Sequence, residues 1–330
     1  MNEEILRGYV RKVTNKDRET LPTFSHSRLE CFENCPMQYK FKYIDKKSTS
    51  DTTIALELGT LCHAVLEQKG YMLHNDKNNH MPDFEKLLEM LEKGIDEVTE
   101  KTSSHIPGLI ELKKKYWEIW SKEDNQGNTY DKKIETFKTV LFDEMQDDKW
   151  EPYLFEHPFE FVWDDRAIIM GFIDRIDKHG DIYRTVDYKT SKKIYDKSKL
   201  ATSQQFGIYA CAILNEFEKL PSYSKYRFIF LDESQEALTK GWEKRFITKM
   251  TKIFDKVNEL NDSNIWTPKQ SPLCYFCNYC KNNPDAKQFK HECQYYSLWT
   301  PNEKSFKVNM KFDSKKMSNI SEKKKNVFDW

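Results

Sequence analysis

The clearest pattern in the chain is a change of hydrophobic period near residue 150. Residues 156–163 (EHPFEFVW), 167–177 (AIIMGFIDRID) and 182–188 (IYRTVDY) are β-rich runs. They are separated by Asp164-Asp165 and by His179-Gly180-Asp181, which are turn chemistry, so the spacing predicts an antiparallel meander. A helix is predicted over 202–218, a strand over 225–231 (KYRFIFL) and a further helix over 238–260. Strands interleaved with helices in this order predict an α/β core with a mixed sheet.

Before residue 150 the period is helical. Ser25 is placed to cap a helix carrying Leu29 and Phe32, continued after Pro36 by Tyr39, Phe41 and Tyr43. Leu58, Leu61, Val65 and Leu66 mark a second helix over 56–69. From 84 to 148 the pattern is helical and rich in charge, broken at Pro107 and around Asn125–Asn128, and reads as an insertion. The first twenty residues are polar and predict a loosely held start. No internal repeat is evident.

Length and charge narrow the function classes. A chain of 330 residues suits two domains, or one with a large insertion. Lys plus Arg and Asp plus Glu each total 53, so a uniformly basic nucleic-acid coat is excluded, although local patches are not. No apolar run is long enough to span a membrane, and MNEEILRGYVRKVT lacks a signal peptide's apolar stretch. A cytoplasmic protein of a bacterial cell, or of a phage, is the expectation. The absence of G-x-x-x-x-G-K-S/T in a chain with ten glycines argues against an ATP-driven motor.

Three side chains on neighbouring β-runs carry chemistry: Asp174 in GFIDRID, with Asp187 and Lys189 in VDYKT. The thirteen-residue separation of the aspartates suits adjacent strands of a hairpin. Asp187 and Lys189, two apart, project to one strand face. Carboxylates converging from neighbouring strands make a hard-oxygen site for Mg²⁺ or Mn²⁺. A lysine beside such a metal can position water and neutralise charge developing on a phosphate. A lone D-x-K is ordinarily a pair of surface charges. Here both aspartates interrupt apolar strands, where an unpartnered carboxylate is costly.

These residues sit in a larger pattern. SHSRLECFENCPMQYKFKYID, the G-T-x-x-H-x-x-L-E block Gly59–Glu67, GFIDRID, VDYKT and the Q-x-x-x-Y block Gln205–Tyr209 follow one another in order. The chain resembles the PD-(D/E)XK nucleases of the RecB-like branch, which includes AddB-type and CRISPR-adaptation nucleases. The resemblance implies a restriction-endonuclease-like α/β core, a mixed β-sheet flanked by helices, with a large helical insertion and a cysteine-rich C-terminal segment. It implies His63, Asp174 and Asp187 as metal ligands and Asp174, Asp187 and Lys189 as the catalytic set. Gln205 and Tyr209, one helical turn apart, would face the active site or the DNA strand. The implied organisation is a flexible 1–20, entry helices over 21–70 with Cys35 and His63, and an insertion over 71–150. A nuclease core over 151–265, a metal-cluster segment over 266–300 and a Lys-rich tail over 301–330 complete it.

Eight cysteines point to metal or thiol chemistry before disulfides. Cys274, Cys277, Cys280 and Cys293 have C-x2-C-x2-C-x12-C spacing. They could form a local tetrathiolate site for structural Zn²⁺. Alternatively, three of them could join Cys35 around a 4Fe–4S cluster. The resemblance favours the cluster, with Cys35, Cys274, Cys277 and Cys293 as ligands and Cys280 as the alternate. Cys31, Cys62 and Cys211 read as packing thiols.

With no net charge, contact with DNA must come from patches: Lys113–Lys115 beside Tyr116 and Trp117, and the lysines past the catalytic strand, Lys192 and Lys193 foremost. The leading expectation is a divalent-metal-dependent DNA exonuclease acting on single-stranded ends in recombination or repair. The alternatives are a nuclease subunit of a helicase–nuclease or spacer-acquisition complex, and a non-catalytic nuclease-like DNA-binding module. The tail ends in Val327, Phe328 and Trp330, which would either patch the chain's own core or dock a replication or recombination protein.

Overall fold

The computed structural model describes residues 3–47, 54–75, 83–103, 129–146, 149–191, 193–237, 240–269, 271–280, 289 and 292–293. Lys192, the Lys113–Lys115 patch and the tail with Phe328 and Trp330 lie outside them. The chain divides into two compact units, Met1–Leu29 with Ser50–Asp262, and Glu30–Thr49 with Ser263–Trp330. The stretch 21–70 therefore contributes to both, Cys35 to the second and His63 to the first.

The first unit is built on a seven-stranded sheet. Its strands are β1 (Val10–Arg11), β2 (Thr23–Phe24), β3 (Glu151–Trp163), β4 (Ala167–His179), β5 (Ile182–Lys189), β6 (Tyr223–Phe228) and β7 (Glu233–Ala237). They lie in the order β1-β3-β4-β5-β6-β7, with β2 also against β4. β3, β4 and β5 form the expected antiparallel meander. The β5–β6 and β2–β4 pairs are parallel, which makes the sheet mixed.

Alternation along β5 sorts the two faces. Val186 and Tyr188 join Phe155 in a buried cluster with α5 (Ile54–Asn75), α6 (Phe84–Ser103) and α7 (Tyr130–Asp143). On the opposite face, after the short helix α8 (Lys197–Ala201), α9 (Gln204–Phe217) sets Tyr209 against Phe159 and Phe206 against Tyr226. There α10 (Trp242–Ser263) packs Phe246 on Trp163 and Phe254 on Phe24. Gly207 is required where these helices meet, because a Cβ there would lie 2.2 Å from the Phe246 ring. The result is helices on both faces of a mixed sheet, as expected.

Two expectations change. Residues 3–20 form defined structure: α1 (Glu3–Arg7) buries Leu6, β1 pairs with β3, and α2 (Asn15–Thr20) begins with a Thr14–Asp17 capping box. Their polarity reflects specific bonds, since Arg11 donates to both Asp17 and Asp165. The strand over 225–231 stops at Phe228, and β7, ESQEA, was not foreseen. As a polar edge strand, β7 has no apolar alternation to show.

The face of the sheet under α7 carries buried charge. Arg175 donates to Glu144 at 2.8 Å and to the Tyr188 hydroxyl at 2.6 Å. Arg227 donates to Glu144 at 2.7 Å, and Arg184 to Asp177 at 2.6 Å. Burial would raise the Glu144 pKa, but Arg175, Lys225 and Arg227 outweigh it and hold it at about 2. Glu144→Ala would leave two buried guanidiniums short of a partner, an expected loss of about 3–5 kcal/mol in chemical denaturation. The Glu144 pKa is depressed on folding, so its contribution is present above the ordinary range near 4.5 and lost as pH falls towards 2.

The second unit holds the end of α3 (His26–Asn34), α4 (Pro36–Tyr39), a π-helical turn over Lys40–Ile44 and a 3₁₀ turn over Pro272–Phe276. Its core is aromatic. Trp266 stacks on Tyr39 and meets Phe32 edge-on, and Phe41 packs against Tyr279. The Tyr279 hydroxyl donates to the Lys47 carbonyl, and Lys47 pairs with Glu292 at 2.7 Å. Among the described residues no helix is long and apolar enough to cross a membrane.

Candidate metal and catalytic site

The site forms where the sheet opens. β4 pairs with β5 from Arg175↔Val186 through His179↔Ile182, and on the same edge with β2 at Ile168–Ile169. Asp174 is the first residue past the β5 ladder. Its Oδ2 accepts the Tyr188 backbone N–H at 2.7 Å. α5 brings in His63, whose Nε2 lies 3.1 Å from the Tyr188 carbonyl. A carbonyl only accepts, so Nε2 carries a proton and Nδ1 is the ring atom turned to the carboxylates. It lies 3.5 Å from Asp174 Oδ2 and 3.7 Å from Glu156 Oε1. One backbone unit, Tyr188, therefore orients both His63 and Asp174.

His63, Glu156 and Asp174 each offer a ligand atom within 4.8 Å of the others. Glu156 is a group the sequence reading passed over. Phe155↔Arg175 and His157↔Ile173 are in register, which brings Glu156 opposite Asp174. Counting back equally on both sides of the Asp164-Asp165 turn finds it. Its backbone φ is +39°, inside a β-strand.

Charge balance at this point fits a cation. Burial and the Asp187 charge raise the Asp174 pKa to about 7, partly offset by His63 and the Tyr188 N–H. Burial would lower the His63 pKa, yet Asp174, Glu156 and Asp187 outweigh it and raise it to about 9. Protons are thus held where crowded carboxylates call for positive charge. An imidazole nitrogen with carboxylate oxygens is a donor set suited to Mg²⁺ or Mn²⁺.

Asp187 lies beside this group with its oxygens already engaged. Oδ2 pairs with Lys189 at 2.6 Å, while Oδ1 accepts from the Gln205 amide at 2.5 Å and from the Tyr209 hydroxyl at 3.1 Å. Gln205 Oε1 also accepts from Lys189 at 2.9 Å. Burial disfavours the Lys189 ammonium, but Asp187 outweighs it and raises its pKa above the ordinary lysine value. Gln205 and Tyr209 thus lie against Asp187. Lys193 is exposed beyond Lys189.

The second unit gathers five thiols around one cavity: Cys35, Cys274, Cys277, Cys280 and Cys293. Cys280 and Cys293 are joined by a short parallel β-bridge, so both expected candidates for the third late ligand line the cavity. The Cys35 sulfur accepts the Lys269 N–H at 3.4 Å and the Cys274 sulfur that of Ser271 at 3.5 Å. Burial pushes the Cys277 thiol up to about 12. Cys62 and Cys211 are buried apart from this group, and burial raises both thiols.

No curated protein matches the chain significantly. A family profile described as the PD-(D/E)XK nuclease superfamily matches residues 23–283, well over half of the chain and spanning the metal group, the Asp187–Lys189 pair and the sheet that carries them. The chain belongs to the PD-(D/E)XK nuclease superfamily.

Proposed function

We propose that the protein is a divalent-metal-dependent DNA exonuclease of the RecB-like branch, hydrolysing phosphodiester bonds at single-stranded ends in recombination or repair. The observation that carries this reading is the convergence of His63, Glu156 and Asp174 beside the Asp187–Lys189 pair. His63, Glu156 and Asp174 would hold Mg²⁺ or Mn²⁺, with Asp187 next to them. Such an ion, when bound, polarises the phosphoryl oxygen and lowers the pKa of water.

The remaining chemistry belongs to side chains of this chain. Lys189 is an ammonium at neutral pH, so its role is to stabilise negative charge gathering on the phosphoryl oxygens, and not to act as a base. Asp187 fixes that ammonium, and Gln205 and Tyr209 fix Asp187. The exposed Lys193, Lys197 and Lys199 continue from this strand and suit the phosphates of a strand end.

The cysteine cavity supports a 4Fe–4S cluster on Cys35, Cys274, Cys277 and one of Cys280 and Cys293. Two sulfurs already accept backbone N–H groups, as cluster sulfurs commonly do. The part of such a cluster would be to hold the two ends of this unit together.

End-labelled single-stranded and duplex DNA, incubated with Mg²⁺, Mn²⁺ or EDTA, tests the activity. The expected result is stepwise shortening of the single strand with either metal and none with EDTA. Internal cuts in circular DNA, or activity unaffected by EDTA, would refute it.

A further inference from the structure

Between its ladders with β2 and β5, β4 has residues 170–174 without a strand partner on that edge among the described residues. This stretch reads Met-Gly-Phe-Ile-Asp, ending on the metal-site carboxylate. Residues two apart on a strand share a face, so Phe172 and Met170 project together, about 7 Å apart, from the stretch that leads into Asp174. Both are exposed, Phe172 at 58% and Met170 at 45%. Among the described residues the Phe172 ring stacks on no other aromatic ring.

We infer that Phe172, extended by Met170, is a stacking platform for the unpaired nucleobase next to the phosphodiester held at Asp174. Three features select this occupant. The platform is continuous with the metal site, at the distance of a neighbouring nucleotide. From 170 to 173 it carries no charge or side-chain donor, so it suits the face of a base and not a phosphate. Base faces within a duplex are covered by their neighbours, so only an unstacked base can lie flat on the ring. Stacking is indifferent to base identity, so this contact supplies affinity without sequence preference.

The inference rests on the nuclease reading for its placement, but its test does not depend on cleavage. The full chain and its Phe172→Ala and Phe172→Tyr variants are titrated in EDTA with oligothymidylates carrying one abasic position, moved stepwise along the strand. One abasic position is expected to weaken binding to the unchanged protein about tenfold. Phe172→Ala should weaken binding of the intact strand by a similar factor and lose sensitivity to that position, while Phe172→Tyr retains both. A non-additive cycle of this kind reports a direct contact. Wild-type affinity in Phe172→Ala, or losses that simply add at every position, would overturn the platform. A protein that cleaves nothing with either metal but shows the non-additive cycle would overturn the exonuclease reading alone.

Discussion

Lys189→Ala is expected to slow single-turnover cleavage of end-labelled DNA by about a hundred- to a thousandfold, the scale of removing one preorganised charge from a phosphoryl-transfer site. Lys189 contributes no atom to the His63–Glu156–Asp174 group, so Mn²⁺ binding by calorimetry should change little. Asp174→Asn should reverse this profile in part. It removes a carboxylate shared by His63 and the Tyr188 N–H, so metal binding and cleavage should fall together. Arginine at 189 keeps the charge but cannot fit the same bonds to Asp187 and Gln205, so only partial rescue is expected. Cleavage by Lys189→Ala at the unchanged rate would remove the catalytic assignment.

Cys35→Ala has the second large expected effect, and on a different observable. Although more than two hundred residues of sequence separate it from Cys274, both line one cavity. Purified without oxygen, the unchanged protein should be brown, with broad visible absorbance and about four irons per chain. Cys35→Ala should lose the colour and the iron together. Ligand binding and folding are linked, so the second unit should also become sensitive to protease. A colourless protein with one zinc, unaffected by Cys35→Ala, would establish the local tetrathiolate site instead. Cys280→Ser and Cys293→Ser, compared in the same assay, identify the fourth ligand as the one whose loss bleaches the protein.

The parts of this fold that were legible in sequence are those where one physical signal dominates. The β3–β4–β5 meander was visible because its strands are long and its turns carry Asp164-Asp165 and His179-Gly180-Asp181. Asp174 and Asp187 were visible because carboxylates in apolar strands call for an explanation. β7 was hidden because an edge strand needs no apolar face. Glu156 was hidden for a geometric reason. It belongs to the site through register across β3 and β4, and nothing in its immediate neighbours marks it. Arg175 and Glu144 lie thirty-one residues apart and become partners only once α7 crosses the sheet. Such long-range charge pairing leaves no periodic trace.

The left-handed backbone at Glu156 sets thermal endurance against chemistry at a single residue. A non-glycine residue there costs about 1–3 kcal/mol that glycine would largely avoid. Enrichment of variants for heat resistance alone would therefore drift towards glycine at 156 and discard a carboxylate that groups with His63 and Asp174. A stabilised catalyst has to be sought elsewhere in the sheet, with this strained position left as it is.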